Sequence, residues 1–123
     1  MIVGIGTDIT ELARIKASYD RFGERFLQKI LTPDELKLVP ENPIAYISGR
    51  FAAKEAAVKA LGTGFNEGIG PHHIEVLRGP LGQPQLHLHG PALARAEALC
   101  MRAAHISISH DRNAAVAVGV LEA

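Results

Sequence analysis

The chain has 123 residues, 47% of them hydrophobic, which is enough for one core and too little for two, so residues 1–123 read as a single domain. Its 13 Lys and Arg balance 13 Asp and Glu, which removes the net positive field that nucleic-acid binding draws on. A single cysteine, Cys100, excludes an intrachain disulfide, and neither a signal peptide nor an apolar run of the ~20 residues a membrane span needs can be found; the expectation is a cytoplasmic protein with no membrane association.

Residues 2–9 alternate, with Val3, Ile5 and Ile9 on one parity and Gly4, Gly6 and Asp8 on the other. That pattern predicts a strand carrying Asp8 on a face cleared by glycines. Thr10 is placed as the N-cap of a helix reaching Tyr19, and Thr32-Pro33-Asp34-Glu35 opens a second, short helix. Asn42 and Pro43 fit the N-cap and first position of the longest element, a helix that runs to Leu61 and stops at Gly62. Strands over 74–77 and 86–88 flank the turn residues 79–84, and residues 91–102 have helical composition. Residues 105–109 and 114–121 read as a closing hairpin turned at Asp111-Arg112-Asn113. The order β-α-α-α-β-β-α-β-β lacks regular βαβ alternation. The fold class is therefore α+β, a mostly antiparallel sheet packed on helices with one long central helix.

Within that long helix, at roughly 100° per residue, Ile44, Ile47, Phe51 and Val58 form one stripe, and Glu55 projects into it. A carboxylate on an apolar face needs a cation, a hydrogen-bond network or a metal. An i,i+4 salt bridge to Lys59 is one answer. The other is a hard-cation site completed by Asp8, since two carboxylates with waters and substrate phosphates are a usual way to hold Mg²⁺. Asp8 alone can equally serve as a helix cap beside Thr10. Lys59 lies on the shoulder of the same face, within reach of a pyrophosphate or free in solvent. The glycines of Leu61-Gly62-Thr63-Gly64 follow the helix C-terminus, whose dipole repels anions, so they form no phosphate-binding N-terminus.

Of the six histidines, His72-His73 diverge if extended, and His87 and His89 share a strand face without a third ligand, which argues a wet sheet surface more than zinc. His110 continues the parity of Ile106 and Ile108 to a strand end, where an imidazole can bond a phosphate or cap the turn. Arg14, Arg21 and Arg25 fall within roughly 40° of one another on a continuous wheel, with Gly23 as the candidate interruption of that helix. Such a strip suits an acidic partner helix, or is a solvated surface.

Three stretches carry a resemblance: Gly6-Thr7-Asp8, the run FAAKEAAVKALGTG at 51–64, and Ser107-Ile108-Ser109-His110-Asp111. Together they resemble the short-chain holo-acyl-carrier-protein synthase family of phosphopantetheinyl transferases. The resemblance implies a 4'-phosphopantetheinyl transferase-like fold and transfer of 4'-phosphopantetheine from coenzyme A to a serine of apo acyl carrier protein in fatty acid biosynthesis, with release of adenosine 3',5'-bisphosphate. It implies Mg²⁺, with Mn²⁺ as an alternative, on Asp8 and Glu55. Lys59 then contacts the coenzyme A pyrophosphate, His110 lies beside the cofactor phosphates, and Asp8, Glu55, Lys59 and His110 form the catalytic set. Arg50, Gly62, Thr63 and Gly64 match its coenzyme A surroundings, and Arg14 and Arg21, with Arg25 next to them, its docking surface for the carrier. It further implies a homotrimer with active sites between subunits. The turn Gly82-Gln83-Pro84 departs from the family pattern, which usually has a basic residue where this chain has Gln83. Asp8, Glu55 and a water at the metal are the candidate acceptors of the serine proton. Two other classes fit the same residues: a metal-dependent phosphohydrolase, and a coenzyme A or carrier-binding module in which Glu55 and Lys59 are structural.

Overall fold

The computed structural model describes all residues, Met1–Ala123. The chain runs β1 (Ile2–Glu11), α1 (Leu12–Phe22), α2 (Glu24–Ile30), α3 (Pro33–Leu36), α4 (Ile44–Leu61), β2 (Ile74–Arg78), β3 (Pro84–Leu88), α5 (Gly90–Ala98), β4 (Ala103–His110) and β5 (Ala114–Glu122). The class is α+β, with the antiparallel strands divided between a three-stranded sheet ordered β1-β5-β4 and a two-stranded β2-β3 ribbon.

α4 lies across the three-stranded sheet, and the sheet residues beneath it are small. Gly4, Gly6, Asp8 and Thr10 share the inward parity of β1 and stand opposite Leu121, Gly119, Ala117 and Ala115 of β5. A Cβ on Gly6 would come within 2.1 Å of the Ala56 carbonyl oxygen, and one on Gly4 within 2.0 Å of the Ala60 carbonyl oxygen. Backbone meets backbone there, so the glycines are what let the helix lie close enough for Ala52, Ala53, Ala56, Ala57 and Ala60 to be buried. The opposite parity of β1 faces solvent: Ile5 is 64% and Ile9 70% exposed.

Several expectations change. Thr10 caps no helix. The strand continues through it to Glu11, and its hydroxyl donates to Asp8 instead. Residues 24–30 form a helix absent from the predicted order, because Gly23 at φ 58°, ψ −134° breaks the path after α1 and lets the chain restart. Pro43 is the N-cap of α4 in place of Asn42, so the helix begins one residue later than predicted, and α5 stops at Ala98, short of the predicted residue 102. The short α3 has a full capping box, in which Thr32 and Glu35 each accept from the other's backbone N–H.

The apolar stripe of α4 conceals a charge deeper than Glu55. Lys54 and Glu35 are fully buried and paired at 2.7 Å. Lys54 Nζ also donates to the carbonyls of Pro71 and Ile74 at 2.9 and 2.5 Å, while Glu35 accepts from the N–H groups of Thr32 and Val76, both at 2.8 Å. Burial holds the Lys54 ammonium below the usual lysine range, with Glu35 pulling it back up. This polar cluster ties α3, α4 and β2 into one block beside the sheet.

Candidate active site

A cavity where β1 meets α4 is lined by Asp8, Ile9, Thr10, Arg14, Ile15, Ser18, Phe26, Phe51 and Glu55. Asp8 enters from the inward parity of the strand and Glu55 from the middle of the helix. Lys59 does not pair with Glu55. Its Nζ donates to Asp8 Oδ1 at 3.2 Å and to the Thr7 carbonyl at 3.0 Å, while Thr10 Oγ1 donates to Asp8 Oδ2 at 2.8 Å. The Glu55 carboxylate is left without a hydrogen-bond or ion-pair partner, half-buried. Burial, reinforced by the Asp8 charge, pushes its carboxyl above the usual range against the pull of Lys59.

Two neighbouring carboxylates, one of them unpartnered, fit a cation. No group of three or more His, Cys, Asp or Glu side chains is placed to hold a metal, so this chain by itself builds no closed cage. Two oxygen ligands on an open cavity match the habit of Mg²⁺, which keeps waters and takes phosphate oxygens for its remaining positions. Zinc-type sites do not form: His89 bonds Glu75, His105 bonds Glu122, and His73 accepts from Gly70 N–H.

His110 and Arg50 lie elsewhere. Thr10 and His110 both stand opposite Ala115, on either side of β5, so their strands are separated by about two inter-strand spacings, ~10 Å. His110 and Arg50 line a different cavity with Arg78, Gly82, Pro84 and Ile108. Arg50 packs its guanidinium 4.5 Å over the Tyr46 ring, and its Nε is buried without a partner. Arg78 is a residue the sequence reading did not single out; the turn residues mark the β2-β3 hairpin, but not that the hairpin brings Arg78 to the cavity of Arg50 and His110. Gln83 folds back over Gly79 and accepts from Leu81 N–H at 2.9 Å.

Gly62, Thr63 and Gly64 close α4. Gly62 is left-handed at φ 80°, and the N–H groups of Thr63 and Gly64 return to the Val58 carbonyl. Gly62 follows Glu55 by seven positions, about 10 Å along the axis. Arg14 lines the carboxylate cavity itself, whereas Arg21 stacks 5.1 Å over Phe22 and Arg25 follows the Gly23 break on α2. The single wheel drawn through all three does not exist. Arg25 instead lines a second groove with Ser18, Phe22, Phe26, Lys29 and Ile30, and Ser18 and Phe26 also line the carboxylate cavity. A basic, aromatic-edged groove therefore leads into the site.

Known proteins resemble this chain in sequence and share its fold. Residues 4–118 match the model of the 4'-phosphopantetheinyl transferase superfamily. A holo-[acyl-carrier-protein] synthase of Desulfovibrio desulfuricans is 58% identical over 123 residues, covering 100% of this chain and 99% of the relative. The crystal structure of holo-[acyl-carrier-protein] synthase from Neisseria meningitidis superposes with a TM-score of 0.90 at 38% identity, each chain covered in full at 100%. The Helicobacter pylori holo-[acyl-carrier-protein] synthase in complex with coenzyme A superposes at 0.85 with 33% identity, over 96% of this chain and 99% of that one.

Proposed function

The chain belongs to the 4'-phosphopantetheinyl transferase superfamily, among the holo-[acyl-carrier-protein] synthases, and from that premise we propose a Mg²⁺-dependent reaction carried by Asp8, Glu55 and Lys59 at a site that two subunits share. The carrying observation is the carboxylate cavity, in which Asp8 is clamped, Glu55 is unpartnered, and a basic groove opens outward. The serine oxygen of apo acyl carrier protein forms a bond to the pantetheine-side phosphorus of coenzyme A, the phosphoanhydride P–O bond breaks, and adenosine 3',5'-bisphosphate departs. The serine proton passes to a base or to water. Asp8 and Glu55 would hold Mg²⁺, or Mn²⁺ in its stead, and the ion when bound offsets the charge on the phosphate oxygens. Lys59 supplies a further positive charge beside Asp8 for the pyrophosphate. Arg14 in the carboxylate cavity, Arg25 in the groove beside it, and Arg21 stacked on Phe22 at its edge offer positive charge to an acidic helix of the carrier, a partner met in cytoplasmic fatty acid biosynthesis.

His110, Arg50 and Arg78 form a basic cavity with no carboxylate among its lining residues, suited to the phosphates of coenzyme A. His110 stands two strands, ~10 Å, from the strand that carries Asp8, and Arg50 and Arg78 line its cavity rather than the carboxylate one, so in this reading the basic cavity serves a neighbouring subunit's site. Ile5, Ile9 and Val116 are exposed on the outer face of the sheet, and a homotrimer would cover them.

Intact mass spectrometry of apo acyl carrier protein incubated with the protein, coenzyme A and Mg²⁺ tests the reading. A phosphopantetheine adduct is expected that disappears with EDTA and with Glu55→Gln. An adduct insensitive to both overturns the metal assignment, and coenzyme A hydrolysis without an adduct replaces the transferase with a phosphohydrolase.

A further inference from the structure

Asp8 is the only one of the two site carboxylates that the protein holds by both oxygens. A carboxylate turns easily about its last side-chain torsion, because that sp³–sp² rotation has broad minima. Left to itself, beside an ammonium on a long flexible stem, Asp8 would turn to offer both oxygens to Lys59. The structure prevents this from the opposite side. Thr10 lies two residues on, on the same face of β1, and is 8% exposed. Its side chain is β-branched and stiff about its first torsion, so it acts as a fixed peg. Opposite it stands Ala115, which offers no side-chain polar group. A hydroxyl buried there has one proton to donate, and it goes to Asp8 Oδ2 at 2.8 Å, while Lys59 takes Oδ1 at the longer 3.2 Å.

We propose that Thr10 is a positioning residue for the cation: its hydroxyl fixes the Asp8 carboxylate in the orientation that keeps it available to a divalent ion and stops it closing on Lys59. The assignment rests on the metal reading above and adds a division of labour to it. Asp8 is a preset ligand, and Glu55, which has no partner, is the adaptable one. Both carboxylate oxygens retain lone pairs beyond those the two donors occupy.

The test is a titration with Mn²⁺ in the presence of coenzyme A, following free Mn²⁺ by electron paramagnetic resonance, on the wild type and on Thr10→Val, Thr10→Ser and Asp8→Asn, each checked for folding by thermal melt. Thr10→Val is expected to weaken Mn²⁺ binding about tenfold, the lower end of what loss of a ligand's hydrogen-bond partner costs a metal site. Thr10→Ser should restore most of it. The Mg²⁺ concentration giving half-maximal turnover should rise in the same order, with a smaller change in rate at saturating Mg²⁺. Thr10→Val binding Mn²⁺ like the wild type, while Asp8→Asn does not bind it, would overturn the role of Thr10 and leave the metal site standing. Equal loss in Thr10→Val and Thr10→Ser would also overturn it, since the hydroxyl would not be the cause. Unchanged binding in Asp8→Asn would remove the metal reading itself.

Discussion

Arg78 and Gln83 sit at opposite ends of one hairpin turn, and only Arg78 reaches the cavity it shares with Arg50 and His110. Gln83 is committed to Leu81 N–H, so of the two only Arg78 brings a charge to that cavity. One charge-assisted hydrogen bond to phosphate contributes about 1.5 kcal/mol, or about tenfold in affinity. Arg78→Ala is therefore expected to raise KM for coenzyme A about tenfold with a smaller change in kcat, and steady-state kinetics with coenzyme A against its 3'-dephospho analogue would show whether the lost contact is to the terminal phosphate. A change in kcat alone would show that Arg78 acts on the transferring group. At this scale Glu55 was legible and Lys54 was not. Glu55 breaks a helical apolar stripe, which is visible in one dimension; the depth of Lys54 depends on α3 and β2 closing over it, which is not. Thr10 misled because a hydroxyl two residues after an aspartate is chemically apt as a cap and as a strand-face donor alike, and only the continued pairing of β1 with β5 decides between them.

The helix α4 is the element on which the site hangs, and two devices fix it. Gly4 and Gly6 let its backbone rest on β1, so Glu55 is brought down beside Asp8; and the Lys54–Glu35 pair locks its next face to α3 and β2. The glycine alternation was readable because its consequence, a cleared strand face, needs only the two-residue period of a strand. The break at Gly23 was readable as a glycine and not as two helices, since a positive φ is permitted by the residue and dictated by its surroundings. Removing one partner of a fully buried pair leaves an uncompensated charge, at a cost of about 3–5 kcal/mol. Lys54→Met should destabilise the protein by that amount in urea unfolding, and adding Glu35→Gln should return part of the loss, because the stranded carboxylate is then gone. If the double variant is as unstable as the sum of the two single ones, the pair contributes by packing and not by charge.

For the whole molecule, the two basic and acidic halves of the proposed site face the same way from opposite edges of one sheet, with β5 between them, and the outer face of that sheet exposes Ile5, Ile9 and Val116. Register explains both facts. Most inward positions of β1 and β5 under α4 hold glycine or alanine, because the helix backbone presses on them, while bulky β-branched residues fall on the outward parity, where Ile9 stands opposite Val116 and Ile5 opposite Val120. On the β1-β5 face of a lone chain, Ile5, Ile9 and Val116 are thus left exposed, an arrangement that another copy would complete. If neighbours supply His110 and Arg50 to each other's carboxylates, two variants inactive for different reasons should rescue one another. Asp8→Asn and His110→Ala chains, each inactive alone, would on mixing after dissociation and reassembly form some sites that take Asp8 from one chain and His110 from the other, about a quarter of sites for random assembly into a symmetric ring. Recovered transfer activity near that fraction supports sites shared between chains, with light scattering expected to give a trimer mass. No recovery despite mixed oligomers would mean that each chain brings His110 to its own Asp8, and the ~10 Å between their strands would then have to be spanned by coenzyme A itself.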